Sequence, residues 1–142
     1  MTETGQLCFI DSNIWIYALI KQQSVEKSEV AHRLITQSKI VVSTQVINEV
    51  CFNLLKKTHI SESVLQNLIR SFYKKYSVVS LDQNILLESS TLRENYRLSF
   101  WDSLIVASAL KTQVKWLYSE DLQHGLTVAH QLSIVNPFLN YG

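Results

Sequence analysis

The sequence predicts an α/β protein, a three-layer α/β/α sandwich in which helices cover both faces of a central, mostly parallel, five-stranded sheet. Two observations predict this class. Short apolar segments rich in β-branched residues alternate with longer segments whose apolar residues recur every three or four positions. The short segments are apolar almost throughout, which is typical of parallel strands buried on both faces.

The predicted strands are the short apolar segments. They lie at residues 7–10, 39–43, 77–81, 115–119 and 132–136. Each has the length of an ordinary strand. The segments KIVVS and SVVSL also contain the β-branched side chains that fit a pleated sheet.

The predicted helices occupy the longer segments. They lie at about residues 12–20, 25–37, 44–57, 61–72, 82–95 and 99–112. Thr44 and Asp82 each follow a strand directly and are expected to cap the helix that begins there. The segment after Ser61 shows an apolar face at spacings of three and four residues. The last segment, SFWDSLIVASALKT, predicts a strongly apolar helix.

The composition is that of one globular domain, which we assign to residues 1–142. The chain is 46% hydrophobic and 18% charged, which excludes a disordered protein. We find no linker, repeat or low-complexity tract. The net charge of +1 excludes a strong polycation, so any contact with nucleic acid must come from local patches.

The sequence shows neither a secretory leader nor an apolar stretch long enough to span a bilayer. We therefore expect a cytoplasmic protein that does not contact a membrane. In that reducing compartment Cys8 and Cys51 are expected to be structural thiols. They are far apart and have no histidine pair nearby, which argues against a zinc site.

Four of the twelve acidic residues stand next to predicted strands. Asp11 follows the first strand, and Asp121 follows the fourth. Glu49 lies in the helix after the second strand, and Asp102 lies in the first turn of the apolar helix before the fourth. Because ligands gather at the carboxyl ends of parallel strands, these carboxylates are predicted to converge on one cleft.

Converging carboxylates require a counter-charge, because burying one such charge without compensation costs several kcal/mol. No lysine or arginine lies inside the segments that carry these acids, at residues 9–17, 43–50, 98–110 and 117–125. Mg²⁺ or Mn²⁺ suits a site of carboxylates and waters. Such an ion lowers the pKa of bound water and orients a phosphodiester.

Each acid also has an ordinary structural explanation when it is taken alone. Asp11 and Asp121 fit helix caps or turn residues. Asp102 fits the favourable position at a helix N-terminus, and Glu49 fits an exposed helical position. Asp82, which also follows a strand and opens a helix, is fully explained as a cap. The prediction of a site therefore depends on the four acids as a set.

Four segments of the sequence resemble a known family. FIDSNIWIY, STQVINEV, LSFWDSLIVASAL and LYSEDLQHG occur in this order and are similar to the segments that carry the acids of PIN-domain ribonucleases, most closely the VapC-type toxins of bacterial toxin–antitoxin pairs. The resemblance places the metal-site acids at Asp11, Glu49, Asp102 and Asp121. Glu120 is an additional acid, and the register favours Asp121.

The resemblance implies a five-stranded parallel sheet with helices on both sides. It also implies Mg²⁺- or Mn²⁺-dependent endonucleolytic cleavage of RNA, a cognate antitoxin that inserts a segment near the active site, and a homodimer. Ser12 and Ser119 stand where the family often has threonine, and both keep the hydroxyl.

Three further residues are assigned supporting roles. Asn13 and Ser119 are predicted to donate hydrogen bonds that orient the acids or a metal-activated water. Arg97, a few residues before Asp102, is the candidate for a phosphate contact. The ordinary explanation for such cations is that they complement the dipole at helix C-termini.

Three other classes are alternatives. A haloacid-dehalogenase-type phosphatase requires an Asp-x-Asp opening, but the third position here is Asn13. A receiver domain requires a phosphorylatable aspartate after the third strand, where Asp82 fits poorly, and a lysine that is missing after residues 132–135. A non-catalytic PIN-like module that binds RNA or protein is the third, and the presence of all four acids speaks against it.

Overall fold

The computed structural model describes residues 6–139. This part of the chain forms six strands and six α-helices. The strands are β1 (Leu7–Ile10), β2 (Lys39–Ser43), β3 (Ser77–Val79), β4 (Trp116–Tyr118), β5 (Thr127–Val128) and β6 (Leu132–Val135). The helices are α1 (Ser12–Leu19), α2 (Val25–Gln37), α3 (Thr44–Lys57), α4 (Glu62–Lys75), α5 (Gln83–Asn95) and α6 (Phe100–Lys111), with a short 3₁₀ helix at Lys21–Gln23.

The strands form one sheet in the order β3-β2-β1-β4-β6-β5, and every pair except β5–β6 is parallel. The predicted α/β architecture, a mostly parallel sheet flanked by helices, is confirmed. The sheet has six strands rather than the predicted five. The additional strand, β5, has two residues and pairs with β6. In the turn between them Ala129 and His130 have φ values of 52° and 55°. Such turns usually contain Gly or Asn, so the sequence gives no hairpin signal here.

Side-chain caps determine where the helices leave the sheet. Ser43, the last residue of β2, caps α3, because its Oγ accepts a hydrogen bond of 3.2 Å from the backbone N–H of Val46. The prediction that Thr44 is this cap was wrong by one residue, since Thr44 is already helical. Asp82 caps α5 as predicted, with Oδ1 2.9 Å from the N of Ile85.

The centre of the sheet lies in the hydrophobic core. β1 runs between β2 and β4, and the side chains of Phe9, Ile10 and Leu117 are fully buried. Helix α6 is buried at every residue from 103 to 109. Burying one large aliphatic or aromatic side chain contributes about 1.5–3 kcal/mol, so these elements form a rigid support for the residues at the sheet edge.

The register of β1 and β4 brings two polar residues together. Ile10 pairs with Tyr118 in this parallel register, and the backbone N–H of Asp11 donates to the carbonyl oxygen of Tyr118 at 3.0 Å. The residue after each strand, Asp11 and Ser119, therefore lies at the same carboxyl edge.

Two further predictions concern membrane-spanning segments and the two cysteines. Within residues 6–139 we find no helix with the length and apolar character needed to cross a bilayer. Cys8 and Cys51 are free thiols. Burial raises the pKa of Cys8 to about 11, so this thiol stays protonated at neutral pH and is a weak nucleophile.

Candidate active site

Asp11 is the most enclosed of the four predicted acids, with only 5% of its surface exposed. Its Oδ1 accepts a hydrogen bond from the backbone N–H of Ser12 at 2.8 Å, and its Oδ2 accepts one from Ser119 Oγ at 2.8 Å. Asn13 Nδ2 lies 3.4 Å from Oδ2. Asp11 therefore caps α1 and also presents a buried carboxylate that the two predicted donors, Asn13 and Ser119, orient.

The electrostatic environment of Asp11 is unfavourable to its charged form. Burial, followed by the charges of Glu49 and Asp102, raises the pKa of Asp11 to about 7, against the opposing effect of the hydrogen bonds from Ser119 and Ser12. Among residues 6–139, no lysine or arginine forms an ion pair with Asp11. This carboxylate would be stabilised by a cation.

Glu49 reaches the same edge from α3. Its Oε1 accepts a hydrogen bond of 2.9 Å from Ser12 Oγ, and its Oε2 accepts one of 3.2 Å from Gln45 Nε2. Ser12 thus connects the start of α1 to α3, while its own backbone N–H holds Asp11. One serine positions two of the four acids.

Gln45 is a site residue that the sequence analysis missed. Its side chain is 9% exposed, and Nε2 donates both to Glu49 Oε2 and to the backbone carbonyl of Trp101, each at 3.2 Å. Its Oε1 is buried and has no hydrogen-bond partner among the described residues. The position of Gln45 one helical turn before Glu49 was the only available signal.

Asp102 and Asp121 complete the predicted set. Asp102 lies in the first turn of α6, where its backbone N–H donates to the Ser99 cap at 3.1 Å. Asp121 is exposed, and its Oδ2 accepts from Asn13 Nδ2 at 3.2 Å. Its backbone N–H donates to Ser119 Oγ at 3.2 Å. Asp121 and Asp11 therefore share both Asn13 and Ser119 as partners.

The donor set can be compared with the needs of a divalent ion. In the part of the chain that the structure describes, no three acidic, histidine or cysteine side chains form a ready metal-ligand cluster. The chemistry of the donors nevertheless fits Mg²⁺ or Mn²⁺, because all four groups offer carboxylate oxygens. Mg²⁺ is commonly held through one or two carboxylates together with waters. The partnerless oxygen of Gln45 beside Glu49 adds an acceptor for such a water.

The carboxylate of Glu120 contacts Tyr17 and Lys27. It accepts a hydrogen bond of 2.8 Å from Tyr17 Oη and forms an ion pair with Lys27. Only the backbone N–H of Glu120 contacts the site, through Asn13 Oδ1 at 3.1 Å. The choice of Asp121 over Glu120 as the fourth site acid stays a prediction.

A polar cleft opens beside Asp121, with a volume of about 260 Å³. Ser12 and Asn13 also line it, together with Gln23, Asn53 and Lys57. Arg97, the predicted phosphate contact, is exposed in the segment before α6 and does not line this cleft. A larger cleft of about 410 Å³ between α5 and α6 contains none of the four acids.

The fold and these acids define a class of α/β domains with carboxylates gathered at the carboxyl ends of parallel strands. A model of the PIN domain family matches residues 8–125, a segment that includes all four acids. The chain belongs to the PIN-domain family, as the resemblance of its four segments predicted.

Solved structures of three bacterial proteins share this fold. A toxin–antitoxin complex from Klebsiella pneumoniae matches with a TM-score of 0.66 and 18% identity, over 92% of this chain and 98% of that one. VapBC2 from Rickettsia felis, bound to a promoter DNA fragment, matches with a TM-score of 0.64 and 16% identity, over 91% of this chain and 97% of that one. VapC20 from Mycobacterium tuberculosis, a toxin that cleaves the sarcin–ricin loop, matches with a TM-score of 0.64 and 16% identity, over 78% of this chain and 86% of that one. A search of curated proteins finds no match.

Proposed function

We propose that this protein is a metal-dependent endoribonuclease, and that it is the VapC-type toxin of a type II toxin–antitoxin pair that cleaves cellular RNA and so inhibits translation. The observation that carries the proposal is the buried Asp11 carboxylate, which faces the charges of Glu49 and Asp102 without a cationic side chain. Membership of the PIN-domain family supports a nuclease. The sarcin–ricin loop cleaved by the M. tuberculosis neighbour supports RNA as the substrate class.

The residues that would hold Mg²⁺ or Mn²⁺ are Asp11, Glu49, Asp102 and Asp121, directly or through water. When bound, the ion would supply Lewis acidity, lower the pKa of a water and neutralise charge on the phosphodiester.

The surrounding side chains keep these acids in place before RNA binds. Ser119 and Ser12 fix the two oxygens of Asp11. Ser12 and Gln45 fix the two oxygens of Glu49. Such neighbours reduce the reorganisation that the acids would otherwise undergo during the reaction.

The test replaces one site acid at a time and compares it with a matched control. Asp11→Asn and Asp102→Asn remove a charge without removing volume. Asp82→Asn is the control, because Asp82 also follows a strand and caps a helix but lies outside the site. We expect RNA cleavage in Mg²⁺ to be lost in both site variants and retained in the control. EDTA should abolish cleavage by the wild-type protein and by the control. A folded Asp11→Asn or Asp102→Asn protein that cuts RNA at the wild-type rate would refute the site.

A non-catalytic module that binds RNA or protein is the second candidate, and the lack of a ready ligand cluster among the described acids favours it. It predicts RNA binding without cleavage in either Mg²⁺ or Mn²⁺. A different metal-dependent phosphoester hydrolase is the third candidate and predicts turnover of p-nitrophenyl phosphate rather than RNA. One panel of purified protein, both substrates and EDTA separates the three.

We further propose that the protein acts in the cytoplasm with a cognate antitoxin and forms a homodimer. The K. pneumoniae and R. felis neighbours are described as toxin–antitoxin assemblies, which supports an antitoxin partner. Expression with and without the product of a neighbouring small gene, followed by mapping of RNA cleavage ends, tests the pairing. Equal growth arrest in both cultures would contradict it.

A further inference from the structure

We propose that the polar cleft is a subsite for one unpaired ribonucleotide adjacent to the cleaved phosphodiester, in which Lys57 contacts a phosphate and Gln23 contacts the base. This inference rests on the proposed nuclease function and adds the part of the substrate that the site recognises. Neither residue belongs to the four acid-bearing segments.

The cleft reaches the candidate site at Asp121, the one of the four acids that lines it. Two more of its lining residues contact the acids: Ser12 donates to Glu49, and Asn13 donates to Asp11 and Asp121. A chain that places one phosphodiester at the acids therefore enters this cleft with its next nucleotide. The volume of about 260 Å³ lies just below the range of drug-sized ligand pockets, which suits a ligand as small as one nucleotide.

Helix α3 carries a row of polar side chains that begins at Glu49 and ends at Lys57, which lines the cleft. Glu49, Asn53 and Lys57 are spaced four residues apart and share one helix face. Asn53 Nδ2 donates to the backbone carbonyl of Glu49 at 2.8 Å, which fixes its amide along the helix. Lys57 lies about 12 Å from Glu49 along the axis, so it meets a phosphate other than the one at the acids.

The charges of the cleft favour an anion at Lys57. Glu120 also lines the cleft, but Lys27 neutralises it in an ion pair that Tyr17 Oη joins by hydrogen bonds. Lys57 forms no ion pair with any acid among residues 6–139. It is therefore the cation in this cleft that is available to a phosphate.

The walls of the cleft suit a base. Ile16 and Tyr17 offer an apolar and an aromatic surface, and Gln23 offers both a donor and an acceptor with no partner recorded in the described chain. The ring of Tyr17 is held in place by an edge-to-face contact with Phe138 at 5.2 Å between centroids. Splayed bases of single-stranded RNA are recognised by this combination of ring surface and amide edge.

The first test compares Lys57→Ala with Lys56→Ala, the neighbouring exposed lysine that does not line the cleft. The probe is a fluorescein-labelled, mixed-sequence, single-stranded RNA oligonucleotide. We expect Lys57→Ala to raise KM for its cleavage several-fold with little change in kcat. Its binding should also show a salt dependence flatter by about 0.7 in the slope of log K against log salt.

The outcomes for Lys57 are distinguishable from failure of the nuclease proposal. Equal KM and equal salt slopes for the two lysine variants, with an active wild-type protein, would overturn the subsite and leave the nuclease standing. A wild-type protein that cuts no RNA would overturn the nuclease proposal. Binding of the fluorescein-labelled RNA, followed by fluorescence anisotropy, would still show whether Lys57 contacts RNA.

The second test concerns the base. Gln23→Ala is compared with Gln22→Ala, its exposed neighbour outside the cleft, and cleavage ends are mapped in a randomised single-stranded RNA pool. We expect Gln23→Ala to relax the preference at one position beside the cut, and Gln22→Ala to keep the wild-type profile. If Gln23→Ala keeps the wild-type preference beside the cut, Gln23 does not belong to the subsite. If the single-stranded pool and its annealed duplex are cut equally well, the subsite does not require an unpaired nucleotide.

Discussion

Ser119 Oγ donates a hydrogen bond of 2.8 Å to Asp11 Oδ2 across the junction of two neighbouring parallel strands. The same oxygen accepts hydrogen bonds from the backbone N–H groups of Asp121 and Leu122, at 3.2 and 3.3 Å. A single fully buried hydroxyl thus joins one acid of the site to the loop that carries another.

Ser119→Ala tests this connection. The variant leaves two backbone donors without a partner and leaves Asp11 Oδ2 only the longer contact with Asn13, so we expect the free energy of unfolding to fall by about 1–3 kcal/mol. Ser119→Thr keeps the hydroxyl and should restore most of the cleavage rate. Urea denaturation and single-turnover cleavage measure the two effects. A Thr variant as inactive as the Ala variant would contradict a role for the hydroxyl.

Burial raises the pKa of Asp11 from its ordinary value of 3.8 to about 7, which predicts that stability without metal depends on pH. The folded protein binds the Asp11 proton more tightly than the unfolded chain, so this residue's contribution to stability is greatest below about pH 4 and is lost progressively up to about pH 7. Asp11→Asn should abolish this loss of stability with rising pH. Thermal melts of the two proteins across this pH range, in EDTA, test this. Melting temperatures that change in parallel with pH would argue against a buried charge at Asp11.

Metal addition should act in the opposite direction. We expect Mg²⁺ or Mn²⁺ to raise the melting temperature more at about pH 8 than at about pH 5, because the ion competes with the Asp11 proton. The Asp11→Asn protein, whose amide cannot be deprotonated, provides the control. An equal shift in both proteins at both pH values would place the ion elsewhere.

Gln45→Leu separates positioning from folding. The substitution removes the hydrogen bonds to Glu49 and to the carbonyl of Trp101 but also removes a buried oxygen without a partner. We expect the melting temperature to change little, while the Mn²⁺ concentration at half-maximal activity and in thermal-shift titrations rises about 10–100-fold. Gln66→Leu, an exposed glutamine on α4, is the control. A loss of stability without a change in metal affinity would assign Gln45 a structural role only.

Asp121→Asn and Glu120→Gln together test which of two neighbouring acids belongs to the site. Asp121 shares Asn13 and Ser119 with Asp11, whereas the carboxylate of Glu120 contacts Lys27 and Tyr17. We therefore expect Asp121→Asn to lower the cleavage rate much more than Glu120→Gln does. Cleavage time courses at saturating RNA measure the difference, and the reverse order would exchange the roles of the two acids.

Much of the site was predictable because strand order and register act on residues close in sequence to each strand. Asp11 and Ser119 each follow a strand by one residue, so a parallel pairing of those strands brings them together without further information. The motif segments supplied the positions of Glu49 and Asp102 on their helices. These predictions needed only local patterns and the general geometry of parallel sheets.

The contacts that escaped prediction depend on tertiary packing. Gln45 meets the carbonyl of Trp101, and Glu120 meets Lys27, 93 positions away. No local spacing indicates either pair. The additional strand β5 was not predicted, because the turn after it places Ala129 and His130 in left-handed conformations where glycine or asparagine is usual.

The burial of α6 has a practical consequence. Since residues 103–109 are enclosed on every side, the first turn of the helix, with Asp102, moves only if the core behind it moves. A slightly larger side chain at a fully buried position of this helix, as in Ala109→Val, would shift the helix and with it Asp102, at a cost of about 1–3 kcal/mol. The rate of the proposed cleavage would then be lowered in small steps from the interior, with every residue of the candidate site left unchanged.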